Sequence, residues 1–208
     1  MRGARGESRT GSRAARQRIL EAAITCIEAE GLRHVTIRSV AREAGANSAA
    51  ISYYFGSKDR LIEEALKQTL ENAFGDWERL LEAGGAPARE SLRIVLGELL
   101  QGAHRFPGLV KAHLYEPFIN GRFNTPFVRR FQRFLTAMEE SIRAVVPPRD
   151  RRNAGVIASQ ASSAVLLPAI MPGLFRHCKG MNLKDPREAD RYVAQVLRRL
   201  LGVESTKR

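Results

Sequence analysis

The chain has 208 residues, 44% of them hydrophobic, and a formal net charge of +12. Such a composition can build cores and excludes a disordered or fibrous chain, while the charge favours a polyanionic partner. Residues 1–60 carry only +5 of that charge, so basicity is spread along the chain and does not by itself define a nucleic-acid protein. Cys26 and Cys178 stand far apart, with no C-x-x-C and no companion His at ligand spacing. They read as free thiols in a reducing compartment, and no metal site or cofactor is expected. The N-terminus has charge but no apolar stretch behind it, so no signal peptide is expected and the location reads as cytoplasmic.

Residues 1–13, rich in Gly, Arg and Ser, show no apolar periodicity and are expected to be disordered. Six arginines (2, 5, 9, 13, 16 and 18) precede the first apolar stripe and could follow phosphates or enter a minor groove. From Ala14 to Glu30, the spacing of Ile19, Leu20, Ala23, Ile24 and Ile27 predicts an amphipathic helix, which Gly31 stops. Two short helical runs hinged on Gly45 follow. In the first, Ile37, Val40, Ala41 and Ala44 share one face, with Thr36 ahead as N-cap. In the second, Asn47 or Ser48 can cap, and Ile51, Tyr54 and Phe55 face inward. Gly45 stands where the chain must turn through a left-handed conformation, and Ala41 is small where two steeply crossed helices would come closest. This is the chemistry of a helix-turn-helix, whose second helix would present Asn47, Ser48, Ala49, Ser52 and Tyr53 to a DNA major groove.

The stretch TIRSVAREAGANSAAISYYFGSKDRL, Thr36 to Leu61, resembles the DNA-binding segment of TetR-family transcriptional regulators. Thr36, Ile37, Val40, Ala41, Ala44, Gly45, Ala46, Ile51, Tyr54, Phe55, Ser57, Lys58 and Leu61 match that pattern in register. Two positions depart from it: Asn47 replaces the usual Ser/Thr cap, and Ser52 replaces the usual Tyr, with tyrosine at 53 instead. The resemblance implies an all-α fold with a three-helix head at residues 1–57 and an effector-binding and dimerisation domain at 58–208. It also implies DNA contacts at Thr36, Asn47, Ser48, Ala49, Ser52, Tyr53 and Lys58.

Ser57 can cap a fourth helix, and a cation at Lys58 near its N-terminus makes sense beside a DNA phosphate. The apolar stripe from Leu61 through Phe74, Trp77 and Leu81 predicts one long rod, ended by Gly84-Gly85-Ala86-Pro87. Further helices are expected at 88–105, 108–120, 125–146, 150–167 and 186–202, broken at Pro107, Pro117, Pro147-Pro148, Pro168 and Pro172. No alternating stretch argues for a strand. Between Arg152 and Arg176 there is no charged residue, but Ser159, Gln160, Ser162, Ser163, Pro168 and Pro172 argue against a membrane span. This small-residue helix and the amphipathic 186–202 read as a dimer seam, as the TetR resemblance also implies.

The second bundle is rich in large apolar groups, suited to enclosing a largely apolar effector. Candidate ligand contacts are His104, His113, Glu116, Phe118, Asn120 and Phe131. Arginines 122, 129, 130, 133, 149, 151 and 152 read as surface charge. The function expected is a homodimeric regulator, most often a repressor in this family, that binds a palindromic double-stranded operator and answers to a small molecule. A metal- or redox-responsive regulator using His113, Glu116 and Cys178 is the alternative. An enzyme is not expected, because no nucleophile elbow, phosphate-cradling Gly-rich loop or H-E-x-x-H is present.

Overall fold

The computed structural model describes residues 4–82 and 87–202, with side chains from Gly11 onward. Among the described residues every regular element is helical. Helix α1 spans Ala4–Glu30, so the segment expected to be disordered is helical from residue 4. Residues 4–18 contain no proline, so no N–H is missing from the ladder, and the helix nucleated at its apolar end propagates through them although Gly6 and Gly11 each cost about 1 kcal/mol against Ala. Arg2, and the side chains of Arg5 and Arg9, lie outside the described residues.

Helix α2 (Ile37–Ala44) starts at a reciprocal cap. Thr36 Oγ1 accepts from Ser39 N at 3.0 Å, and Thr36 N donates to Ser39 Oγ at 3.0 Å. It stops at Gly45, whose φ of 59° is left-handed and lets its N–H reach back to the helix carbonyls. Helix α3 (Ser48–Phe55) follows, and α4 runs Lys58–Glu82. Gly84, Gly85 and Ala86, expected to end α4, lie outside the described residues.

The first of two compact units takes the chain up to Glu71 together with Gly108–Gly121. Its core joins Ile19, Ala23 and Ile27 of α1 with Val35, Val40, Ile51, Phe55, Leu61 and Ala65. Helix α6 (Pro107–Leu114) adds Leu109 and Ala112 to that core. Leu109 N donates to Glu28 Oε2 at 2.9 Å, and a Cβ on Gly108 would collide with the backbone of Glu28. A segment expected in the second bundle thus packs with the head. After α6 the chain widens into a π turn, Tyr115–Ile119, instead of continuing as one helix to 120. Pro117 lacks the N–H that an α-helix would need there.

The second unit comprises Asn72–Pro107 and the chain from Arg122 onward. It holds α5 (Ala88–Arg105), α7 (Pro126–Val145), a 3-10 turn (Pro148–Asn153), α8 (Ala154–Ile170), α9 (Pro172–Lys179) and α10 (Pro186–Leu201). Leu92, Leu96 and Leu100 of α5, Phe134, Met138 and Ile142 of α7, and Val193 and Leu197 of α10 are buried. Helix α8 buries Ala154, Ala158, Ala161 and Ser162, small side chains that let α5 and α7 pack closely against it. By length and composition alone Pro148–Ile170 could cross a membrane, yet 39% of its most apolar window is buried inside the fold.

Pro168 does not break its helix as expected, whereas the chain does break just before Pro172, where α8 ends at Ile170. Pro168 lies inside α8, where its missing N–H leaves Ala164 O without a helical donor; the Tyr192 hydroxyl donates there instead, at 2.7 Å. Pro172 opens α9, a helix not expected from the sequence, at a position where the absent N–H would be unused anyway.

Candidate nucleic-acid interface

The turn between α2 and α3 sorts side chains into two sets. Ile51 and Phe55 are buried, whereas Thr36, Asn47, Ser48, Ala49 and Ser52 are exposed and Tyr53 is 82% exposed. An apolar pair at i, i+4 anchors α3, so the opposite face is left to solvent. Asn47 is the cap: its Oδ1 accepts from Ala50 N at 2.7 Å, which leaves the amide N–H2 to donate outward. Ser52 Oγ donates back to Ser48 O at 3.3 Å, and the Tyr53 ring meets Tyr54 edge-on at 5.0 Å.

Lys58 is placed otherwise than the sequence suggested. Its ammonium donates to Val35 O at 2.9 Å, tying the start of α4 to the turn before α2. An ammonium has three N–H groups, so two stay free for another acceptor. Arg16, counted among the arm arginines, pairs with Glu64 and lies over the Phe55 ring at 4.8 Å, where it holds α1 to the end of α3. Nothing local announces a pair 48 residues apart.

The six candidate ligand residues are not gathered in one unit. His113, Glu116, Phe118 and Asn120 belong to the first, His104 and Phe131 to the second. Phe118 is 80% exposed, and Glu116 accepts from Asn120 Nδ2 at 3.0 Å. His113 Nε2 lies 2.9 Å from Thr69 Oγ1, which itself donates to Leu66 O at 2.8 Å and so accepts from the imidazole. Burial pushes the His113 pKa down to about 4, leaving a neutral ring. Burial, reinforced by Glu30, also pushes the Cys26 thiol up. Among the described residues no three His, Cys, Asp or Glu side chains stand together as a metal site.

In the second unit His104 Nε2 lies 3.1 Å from Pro168 O, while its buried Nδ1 has no hydrogen-bond partner. Phe131 stacks on Phe127 at 5.8 Å and approaches Phe134 at 5.9 Å. Phe74 and Trp77 of α4 continue the cluster, with Phe74 5.5 Å from Phe134. Arg130, expected on the surface, is buried: its side chain is 8% exposed and pairs with Glu78 at 3.1 Å. A single sequence hides that pair, because each charge falls on a stripe of its own helix and the partners are 52 positions apart.

Residues 19–65 match the model for bacterial regulatory proteins of the tetR family. The HTH-type transcriptional regulator BetI 2 of Chromohalobacter salexigens is 27% identical over 191 residues, 88% of each chain. A structure described as a TetR-family transcriptional regulator from Mesorhizobium loti superposes with a TM-score of 0.70 over 91% of this chain and 96% of its own, at 16% identity. A transcriptional regulator from Saccharomonospora viridis, solved in complex with choline, is 25% identical with a TM-score of 0.68, covering 88% of this chain and 96% of that one.

Proposed function

Because this chain belongs to the TetR family of DNA-binding transcriptional regulators, we propose that it represses transcription as a cytoplasmic homodimer on a palindromic operator and is controlled by a small-molecule effector. The observation that carries the DNA reading is the outward face of α3. Ser48, Ala49 and Ser52 are short, so the helix can sit deep in a groove while making few bidentate base contacts. Asn47, Tyr53 and backbone N–H groups then hold phosphates, with Ala49 against a thymine methyl. Thr36 and the two free N–H groups of Lys58 extend the phosphate track.

Support for the dimer comes from α8. The helix carries no Asp, Glu, Lys or Arg, and it exposes Val156 (58%) and Leu167 (49%) beside Ser159, Gln160 and Ser163. Two copies pairing there and along α10 would cover these apolar groups. Two recognition helices would then read major grooves about 34–36 Å apart. Support for an effector comes from the ring cluster in the second unit, and from a relative of the same fold that binds choline.

Selection of bound duplexes from a random pool tests the reading. The enriched sequence should have dyad symmetry with half-sites about 10 base pairs apart, centre to centre. An enriched site without symmetry, or binding by a monomer, would refute the dimer. Tyr53→Ala should abolish binding to the selected duplex while leaving helical CD and melting unchanged; retained affinity would remove Tyr53 from the interface.

A further inference from the structure

Most of the chain's charge lies outside the unit that holds the helix-turn-helix. The first unit, which carries the candidate DNA face, has 13 Lys and Arg against 10 Asp and Glu, a net +3. The second has 21 against 12, a net +9, and 18 of its 21 cations are arginine. Repulsion among like charges works against the compactness of that unit, so the excess is a cost to the fold. Ion pairing does not remove it. Arg93 pairs with Glu90 and Asp190, Arg130 with Glu78 and Arg143 with Glu139, which occupies carboxylates and leaves other guanidinium groups over.

The outer face of α7 shows the excess most plainly. Between Glu116 and Glu139 the chain has no Asp or Glu. Of the four arginines there, Arg130 turns inward to Glu78, while Arg122, Arg129 and Arg133 are exposed. Arg129 and Arg133 stand one turn apart on one face, with exposed Gln132 and Thr136 beside them. Arg129 Nη1 donates to Asn124 Oδ1 at 2.6 Å, a neutral acceptor that steadies the guanidinium without cancelling its charge. Among the described residues no carboxylate pairs with Arg133. Such a face suits phosphates, which need only guanidinium forks and short polar donors. A protein partner would need apolar ground at the centre of the contact, where this face has Gln132 and Thr136. DNA is the polyanion that members of this family bind. We infer that the face of α7 around Arg129 and Arg133 is a second duplex-DNA surface, indifferent to sequence, which holds further DNA while α3 holds the operator. This goes beyond the proposed function: α3 selects the site, and the α7 face adds a steeply salt-dependent affinity for any duplex.

The full-length protein is saturated with a short selected duplex, which occupies α3, and then titrated with a labelled duplex of unrelated sequence. The unrelated duplex should bind, with affinity falling about tenfold or more between about 50 and 200 mM salt. Arg129→Glu with Arg133→Glu should lower the salt slope of that second binding by about 2 and weaken it about tenfold at the lower salt, leaving affinity for the selected duplex in place. If charge reversal unfolds the chain, Arg129→Ala with Arg133→Ala should give the same change of slope. Lys179→Glu with Lys184→Glu alters the net charge equally and should leave most of the second binding. No second duplex bound at the lower salt, equal losses in the arginine and lysine variants, or uptake of phosphatidylglycerol vesicles in place of duplex overturns the inference. A chain that selects no dyad-symmetric duplex, yet binds unrelated duplex through Arg129 and Arg133, would refute the operator reading and leave this surface standing. Dyad selection with no second duplex bound would do the reverse.

Discussion

His113 shows how one largely desolvated side chain sets a pH dependence. Its imidazole is neutral in the fold, with a pKa pushed down to about 4 by burial, whereas in the unfolded chain it titrates near 6.5. The unfolded chain therefore takes up the proton first. This contribution to stability is fully present above about pH 6.5, falls as the pH drops towards 4 and levels off below it, by about 3 kcal/mol at most. Chemical denaturation across that range measures it, and His113→Asn should flatten this part of the profile. An unchanged profile in the variant would mean that other groups carry the acid sensitivity.

At the scale of elements, the continuity of α8 depends on a neighbour. A helix crosses Pro168 only if the carbonyl left without a donor is met, and Tyr192 of α10 meets it. Burial raises the Tyr192 pKa above 10, which keeps the hydroxyl protonated as the bond requires. That contribution is complete below about pH 10 and is lost only as the pH rises through the folded value. Tyr192→Phe leaves the half-buried Ala164 O without a donor and should cost about 1 kcal/mol in urea denaturation. Pro168→Ala restores an N–H at the helical position, so in that background the same substitution should cost clearly less. Equal costs in both backgrounds would disprove the coupling.

Across the whole molecule, α4 supplies Leu61 and Ala65 to the core of the first unit and Phe74 to the ring cluster of the second. Lys58 begins that helix and faces two tasks: closing the head onto Val35 O and meeting DNA. Lys58→Ala should lower the salt slope of duplex binding by the dimer by about 2, one phosphate per protomer, and weaken all sequences about equally. A slope that stays the same, together with a lower melting temperature, would give Lys58 the structural task alone.

The helix-turn-helix was legible because its signals are local. The Thr36 cap, Gly45 at a positive φ, and Ile51 and Phe55 at i, i+4 all act within a few residues, so the chain order itself carries them. The helical spacing of apolar residues likewise determined the all-α fold and the register of α5, α7 and α10. The tertiary structure alone decided which faces meet. It joined α6 to α1 through Glu28 and Leu109, buried Arg130 against Glu78, turned Arg16 onto Phe55, and let Tyr192 carry α8 past Pro168. Each of these is a polar contact between residues far apart in the chain. Periodicity marks a face as buried or exposed but says nothing of the donor or acceptor that another helix will bring to it.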